Sequence, residues 1–268
     1  MSTTTSVPKL AVVTGASSGI GRELAELFAQ DDFDVIVSAE DAAIHDAAHE
    51  LERLGVWVKA VQVDLARDGV VDELWACIRE TGRPIDAIAL NAGRGQGHAF
   101  AEQDLADVLE IVDLNVRSVV HLAKHVVAAM TARDEGRILF TSSIASTMPG
   151  AYQAVYNASK SFVQSFALAL REELKDTGVT VTSLMPGPTE TEFFERADML
   201  DTKVGASDKD DPADVARDGY EALMAGKERV VSASLQTKLQ GRGSRLMPDA
   251  VKAKLHRSMA EPGSGGKE

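Results

Sequence analysis

Apolar, β-branched runs alternate along the whole chain with segments of helical periodicity. Runs near 9–14, 34–39, 57–63, 85–90, 136–141, 178–184 and 229–233 predict strands, since continuous apolar stretches of this length suit strands buried on both faces. Between them the apolar positions take helical spacing, as in Ala43, Ala47, Leu51 and Leu54. Gly55, Gly136 and Gly178 punctuate expected helix ends. Strand–helix alternation predicts an α/β fold with helices on both faces of a seven-stranded, mainly parallel, doubly wound sheet. One domain is expected over 8–260, without internal repeats. The Ser/Thr-rich start 1–7 and the Gly-rich end 261–268 are expected to be disordered tails.

Ligands of such sheets bind at the carboxyl ends of the strands. Thr14, Asn91, Ser143 and Pro186 all follow predicted strands, so all are expected at that edge. Lys9 to Gly21 runs from an apolar strand into a glycine-rich turn, and a helix with Ile20, Leu24, Leu27 and Phe28 on one face follows. Glycines permit positive φ and close backbone approach to a pyrophosphate, while a helix N-terminus offers free N–H groups. Here the spacing is G-x-x-x-G-x-G, weak evidence by itself.

The strongest chemistry lies in Tyr156-Asn157-Ala158-Ser159-Lys160. Positions i and i+4 share a helix face, so phenol and ammonium point the same way. A free tyrosine has a pKa of about 10, too high for a good base at neutral pH, and a nearby cation lowers it. Such a phenol exchanges protons with an alcohol or carbonyl. Ser143 is placed to hydrogen-bond the same substrate oxygen, and the set then needs a hydride carrier.

Thr14-Gly15-x-x-x-Gly19-x-Gly21, Asp64-Leu65, Asn91-Ala92-Gly93, Asn115, Ser143, Tyr156-x-x-x-Lys160 and Pro186-Gly187 occur in this order over roughly residues 8 to 233. The chain thereby resembles the short-chain dehydrogenase/reductase superfamily. The resemblance implies a Rossmann-like fold and an NAD(P)-dependent oxidoreductase that interconverts a secondary alcohol with a ketone or aldehyde. It implies catalytic roles for Asn115, Ser143, Tyr156 and Lys160, with Asn115 anchoring a proton-relay water. Gly15, Ser17, Ser18, Gly19, Ile20 and Gly21 would cradle the cofactor. Asp64 and Leu65 would meet its adenine, with helix capping an equally good role for Asp64. Asn91, Ala92 and Gly93 would let it approach the backbone. Pro186, Gly187, Thr189 and Thr191 would hold the nicotinamide, together with Tyr156 and Lys160. Dimers or tetramers through helices near 104–131 and 156–175, and through the C-terminal strand, are also implied.

The resemblance places the end of the second strand at the adenosine ribose. Ala39 stands where NAD-dependent members usually carry Asp, and Glu40 stands where NADP-dependent members often carry Arg. A carboxylate there repels a 2′-phosphate, so NAD is expected over NADP. Arg22 keeps NADP open. The segment 192–212, with Phe193, Phe194, Met199 and Leu200 among charges, fits a substrate lid. Tyr152, Gln153, His98, Met148 and Phe193 are pocket-wall candidates, and Ser142 is expected to be structural. The basic, amphipathic stretch 235–259, with Leu239, Leu246, Val251 and Leu255, extends an interface, covers the site or packs on its own subunit.

Bulk properties narrow the field. A net charge of −13 and a pI near 4.9 argue against nucleic acid or an anionic membrane as partner. The single cysteine, Cys77, excludes an internal disulfide. No apolar run approaches a membrane span and the first residues lack a secretory pattern, so a cytoplasmic protein is expected. His45/His49 and His121/His125 have zinc-compatible i,i+4 spacing but no evident third ligand, so no metal is expected. Two rival functions are a catalytically silent dinucleotide-sensing protein and an epimerase with tightly bound NAD.

Overall fold

The structure is a computed structural model and describes residues 7–232 and 247–266. Seven strands form one sheet: β1 (Leu10–Thr14), β2 (Asp34–Ala39), β3 (Val58–Gln62), β4 (Ala87–Leu90), β5 (Gly136–Thr141), β6 (Val179–Pro186) and β7 (Arg229–Ser232). Their order is β3-β2-β1-β4-β5-β6-β7, and every neighbouring pair is parallel. The chain order reverses between β1 and β4, which opens a crevice at their carboxyl ends.

Alternation along each strand divides the core into two layers. Leu10 and Val12 of β1 face one way, where they join α3 (Val70–Arg79), α5 (Val119–Arg133) and α6 (Ala154–Glu173) through Leu74, Leu122, Val126 and Val163. Ala11 and Val13 face the other, against α1 (Gly19–Gln30), α2 (Ala43–Glu52) and α9 (Pro212–Met224), through Leu24, Phe28, Ile44 and Leu223. A small third cluster joins Phe194, Ala197 and Met199 to Ala260. It ties the segment holding α7 (Phe193–Arg196) and α8 (Lys203–Ala206) to the C-terminal helix α10 (Asp249–Ala260).

Three expectations change. The long helical pattern 104–131 divides into α4 (Leu105–Val112), a π-helical turn (Asp113–Ser118) and α5. The end of the chain is held through 266: Gly263 and Gly265 donate backbone N–H groups to Asp201, and the buried Ser264 hydroxyl accepts from Lys203 N at 3.0 Å. Gly-rich composition had suggested disorder there, but exposed acceptors on Asp201 give the backbone partners. In α10, Val251 and Leu255 stay largely exposed while His256 and Ala260 are buried. Leu239, Leu246 and residues 1–6 lie outside the described residues. Among the described residues no helix is long and apolar enough to cross a membrane.

Phe28 is fully buried, edge-on to Phe33 at 5.3 Å and to Tyr220 at 5.1 Å, and so joins α1 to α9. Phe28→Ala is expected to cost about 3–5 kcal/mol of stability, measured by urea unfolding.

Candidate active site

The strand ends converge on one knot of hydrogen bonds. Asn91, just after β4, donates from Nδ2 to Thr14 O and Gly15 O, both at 3.2 Å, and its Oδ1 accepts from Thr141 Oγ1 at 3.0 Å. Thr14 Oγ1 accepts from the backbone N–H groups of Asn91 at 3.0 Å and Ala92 at 3.1 Å. The carboxyl ends of β1, β4 and β5 are thereby fixed together. Gly15 sits at φ +66°, and a Cβ on it would lie 2.8 Å from Ala92 Cα. A Cβ on Gly21 would overlap Gly15 O, so the turn closes this tightly only with glycine.

The turn feeds α1 at Gly19. No side chain caps this helix and its first turn holds no acidic residue, so Ser18, Gly19, Ile20 and Gly21 present an open helix N-terminus to the cleft. Ser17 is engaged, donating to Asp41 Oδ2 at 2.9 Å. A cleft of ≈ 1080 Å³ runs from this turn past Glu40, Asp64 and Leu65 on one side and Asn91, Ala92, Gly93, Ser143, Tyr156 and Lys160 on the other, with Pro186, Gly187, Thr189 and Thr191 along its rim. The bare helix end and glycine-lined floor fit a dinucleotide pyrophosphate.

Individual placements refine the expectations. Asp64 accepts from Ala66 N at 3.0 Å and Arg67 Nε at 2.9 Å, closing a turn and not capping α3, which begins after Gly69. Glu40 pairs with Arg196 of α7 at 3.1 Å, and the same guanidinium meets Asp41 at 3.6 Å and Glu192 at 3.0 Å. Arg22 is engaged by Glu50. Ser142 and Ser143 both line the cleft, but the Ser142 hydroxyl is engaged, donating to Lys160 O at 3.0 Å. Gln153, Met148 and Phe193 also line it. Tyr152 and His98 do not. Tyr152, at φ +64°, donates to Glu261 beneath the Arg257 guanidinium, and His98 pairs with Asp198 at 2.8 Å.

Asn115 sits in the π-helical turn, where one extra residue per turn swings its amide inward. It is buried, donates to Arg94 O at 2.9 Å and Ser159 Oγ at 3.0 Å, and accepts from Arg94 N at 3.0 Å. Lys160 Nζ donates to Thr141 O at 3.0 Å. Lys160 Nζ and Asn115 Oδ1 lie 3.0 and 3.2 Å from the point a Cβ on Gly93 would occupy, so Gly93 keeps open the space between them. The Ser143 hydroxyl favours the Tyr156 phenolate, and the Tyr156 ring centroid lies 6.0 Å from Lys160 Nζ.

Burial dominates the electrostatics. It pushes the Tyr156 phenol up to about 12, against a smaller lowering by Ser143, and holds Lys160 down at about 8. Without cofactor the tyrosine is therefore not poised as a base, contrary to the simple expectation from Lys160. That expectation left out the cost of burying the phenolate.

Arg196 and His256 were not anticipated. Arg196 reaches the strand-2 end from far along the chain, with no local signal in its sequence. His256 is buried in the cleft wall, with Nδ1 3.0 Å from Ala151 O, and burial lowers its pKa. It follows Leu255 directly, and the apolar pattern of α10 gave no weight to a polar neighbour.

The profile of the short chain dehydrogenase family matches residues 9–199. The chain belongs to this family, whose members use NAD or NADP. It is 36% identical over 188 residues to a putative ketoacyl reductase of Streptomyces coelicolor, covering 68% of this chain and 71% of that one. It superposes on a short-chain dehydrogenase from Sphingobium yanoikuyae in complex with NADPH with a TM-score of 0.79 at 26% identity, over 90% of this chain and 97% of that one. A Burkholderia phymatum short-chain dehydrogenase/reductase in complex with NAD shares the fold, with a TM-score of 0.81 at 24% identity over 88% and 92% of the two chains.

A buried ammonium held at about 8 opposes folding below pH 8, and this opposition fades as pH rises from 8 toward the ordinary 10.5. Replacing it with an apolar residue removes the pH-dependent part. The stability of cofactor-free wild type relative to Lys160→Met is expected to rise by roughly 2–3 kcal/mol between pH 7 and pH 10, measured by urea unfolding of both proteins.

Proposed function

We propose that this protein is an NAD(P)-dependent oxidoreductase acting on CH–OH groups, interconverting a secondary alcohol and its ketone or aldehyde. The observation that carries the reading is the shared cleft: Ser143, Tyr156 and the buried Lys160 open onto the same space as the bare glycine turn. The cofactor supplies hydride exchange with the substrate carbon. Ser143 fixes the substrate oxygen and stabilises its developing charge. Tyr156 gives its phenolic proton to that oxygen in reduction and takes it back in oxidation. Lys160, protonated, offsets the cost of the phenolate. Asn115 orients the water that returns protons between Lys160 and solvent. Phe193, 5.1 Å from the Tyr156 ring and packed on Gly95, supports 192–212 as the lid that keeps bulk water from the reacting oxygen.

Glu40, Asp41 and Glu192 outnumber the one guanidinium of Arg196 at the ribose end, which favours NAD over NADP. The exposed apolar residues Leu105, Leu109, Val112 and Phe162 on α4 and α6 support a homodimer or homotetramer. Residence in the cytoplasm fits the same reading.

Tyr156→Phe is expected to lower NADH-linked turnover of a carbonyl panel by roughly 10²–10⁴-fold while NADH titrations stay close to wild type. Wild-type turnover in that variant would overturn the mechanism. NADH is expected to bind more tightly than NADPH, with Glu40→Ala narrowing the ratio; tighter NADPH binding in wild type would reverse the assignment.

A further inference from the structure

Helix α5 carries His121 and His125 one turn apart, and the first turn of α3 carries Asp72. Leu74 and Ile78 of α3 and Leu122 and Val126 of α5 belong to one buried core layer, which sets the spacing of the two helices. At their solvent edge, Asp72 Oδ1 lies 3.1 Å from His121 Nε2 and 3.1 Å from His125 Nε2. One donor atom from each residue lies within 4.8 Å of the other two. None of the three lines the cleft.

We propose that Asp72, His121 and His125 form a binding site for one zinc ion that bridges α3 and α5. Bonds of about 2.0–2.1 Å in a tetrahedron put ligand atoms roughly 3.3 Å apart, close to the carboxylate–imidazole distances already present. The His125 ring stacks on Trp75 at 5.1 Å and 8°, which fixes the plane of its imidazole. In the tautomer with hydrogen on Nδ1, each Nε2 carries a free lone pair, and the three donor atoms lie within 4.8 Å of one another. Partial exposure of all three side chains leaves the fourth position to water. Two imidazole nitrogens select zinc and its late first-row neighbours over magnesium or calcium. His45 and His49 on α2 have the same spacing, but among the described residues no third donor completes that pair. Spacing alone therefore does not make the site; the residue from the neighbouring helix does. Zinc bound only by the native arrangement stabilises it by mass action.

The test uses chelator-treated full-length protein without an added histidine tag, titrated with zinc chloride by calorimetry, with thermal unfolding alongside. Wild type is expected to take up one ion per chain with a raised melting temperature, and magnesium chloride to do neither. His121→Gln and Asp72→Asn, checked for fold by circular dichroism, are each expected to weaken binding ~10-fold or more and to lose the melting shift. The His45→Gln/His49→Gln double variant is expected to match wild type. Equal zinc affinity in wild type, His121→Gln and Asp72→Asn would overturn the site, as would absence of saturable binding to wild type.

Discussion

The side chain of Asn91 is the constraint on which the cleft depends. Its amide holds Thr14 and Gly15 at the end of β1 while its carbonyl holds Thr141 at the end of β5. These strands flank β4 at the place where the sheet reverses its order. The glycine turn and the Ser143–Tyr156–Lys160 group come from separate halves of the chain, and this one residue sets their distance. Close approach at Gly15 and Gly21 follows from it, because a Cβ at either would push the turn off the β4 end.

Burial explains both the quiet and the reactive sides of the site. The same packing that aligns Tyr156 and Lys160 pushes their pKa values apart, toward two neutral groups. Thr141 O and the space beside Gly93 are what the ammonium has for solvation. Proton transfer in such a place depends on which charges enter the cleft, more than on the pair alone.

Strand positions and the glycine turn were legible because they rest on local periodicity and steric necessity. Every expected strand appears, with ends moved by a residue or two. Features set by contacts between distant segments were not. Residues 104–131 read as one helix because the π-helical turn that holds Asn115 leaves little mark on periodicity. Tyr152 and His98 looked like wall residues by position, yet Glu261 and Asp198 draw them elsewhere. Asp72 was invisible as a partner of His121 and His125, since only helix packing brings it near. The end of the chain was misjudged for a related reason: composition says nothing of the acceptors that Asp201 offers.

Helix α10 gives the cleft a wall from outside the motif-bearing part of the chain. Its residues Leu255, His256 and Met259 stand in the wall, yet they lie beyond the stretch 9–199 that matches the family. The floor of the cleft is built by the motifs at the strand ends, whereas this wall comes from a helix that makes no part of them. Two relatives with identical floors need not share a substrate, and likeness over the matched stretch is a poor guide to what either one turns over.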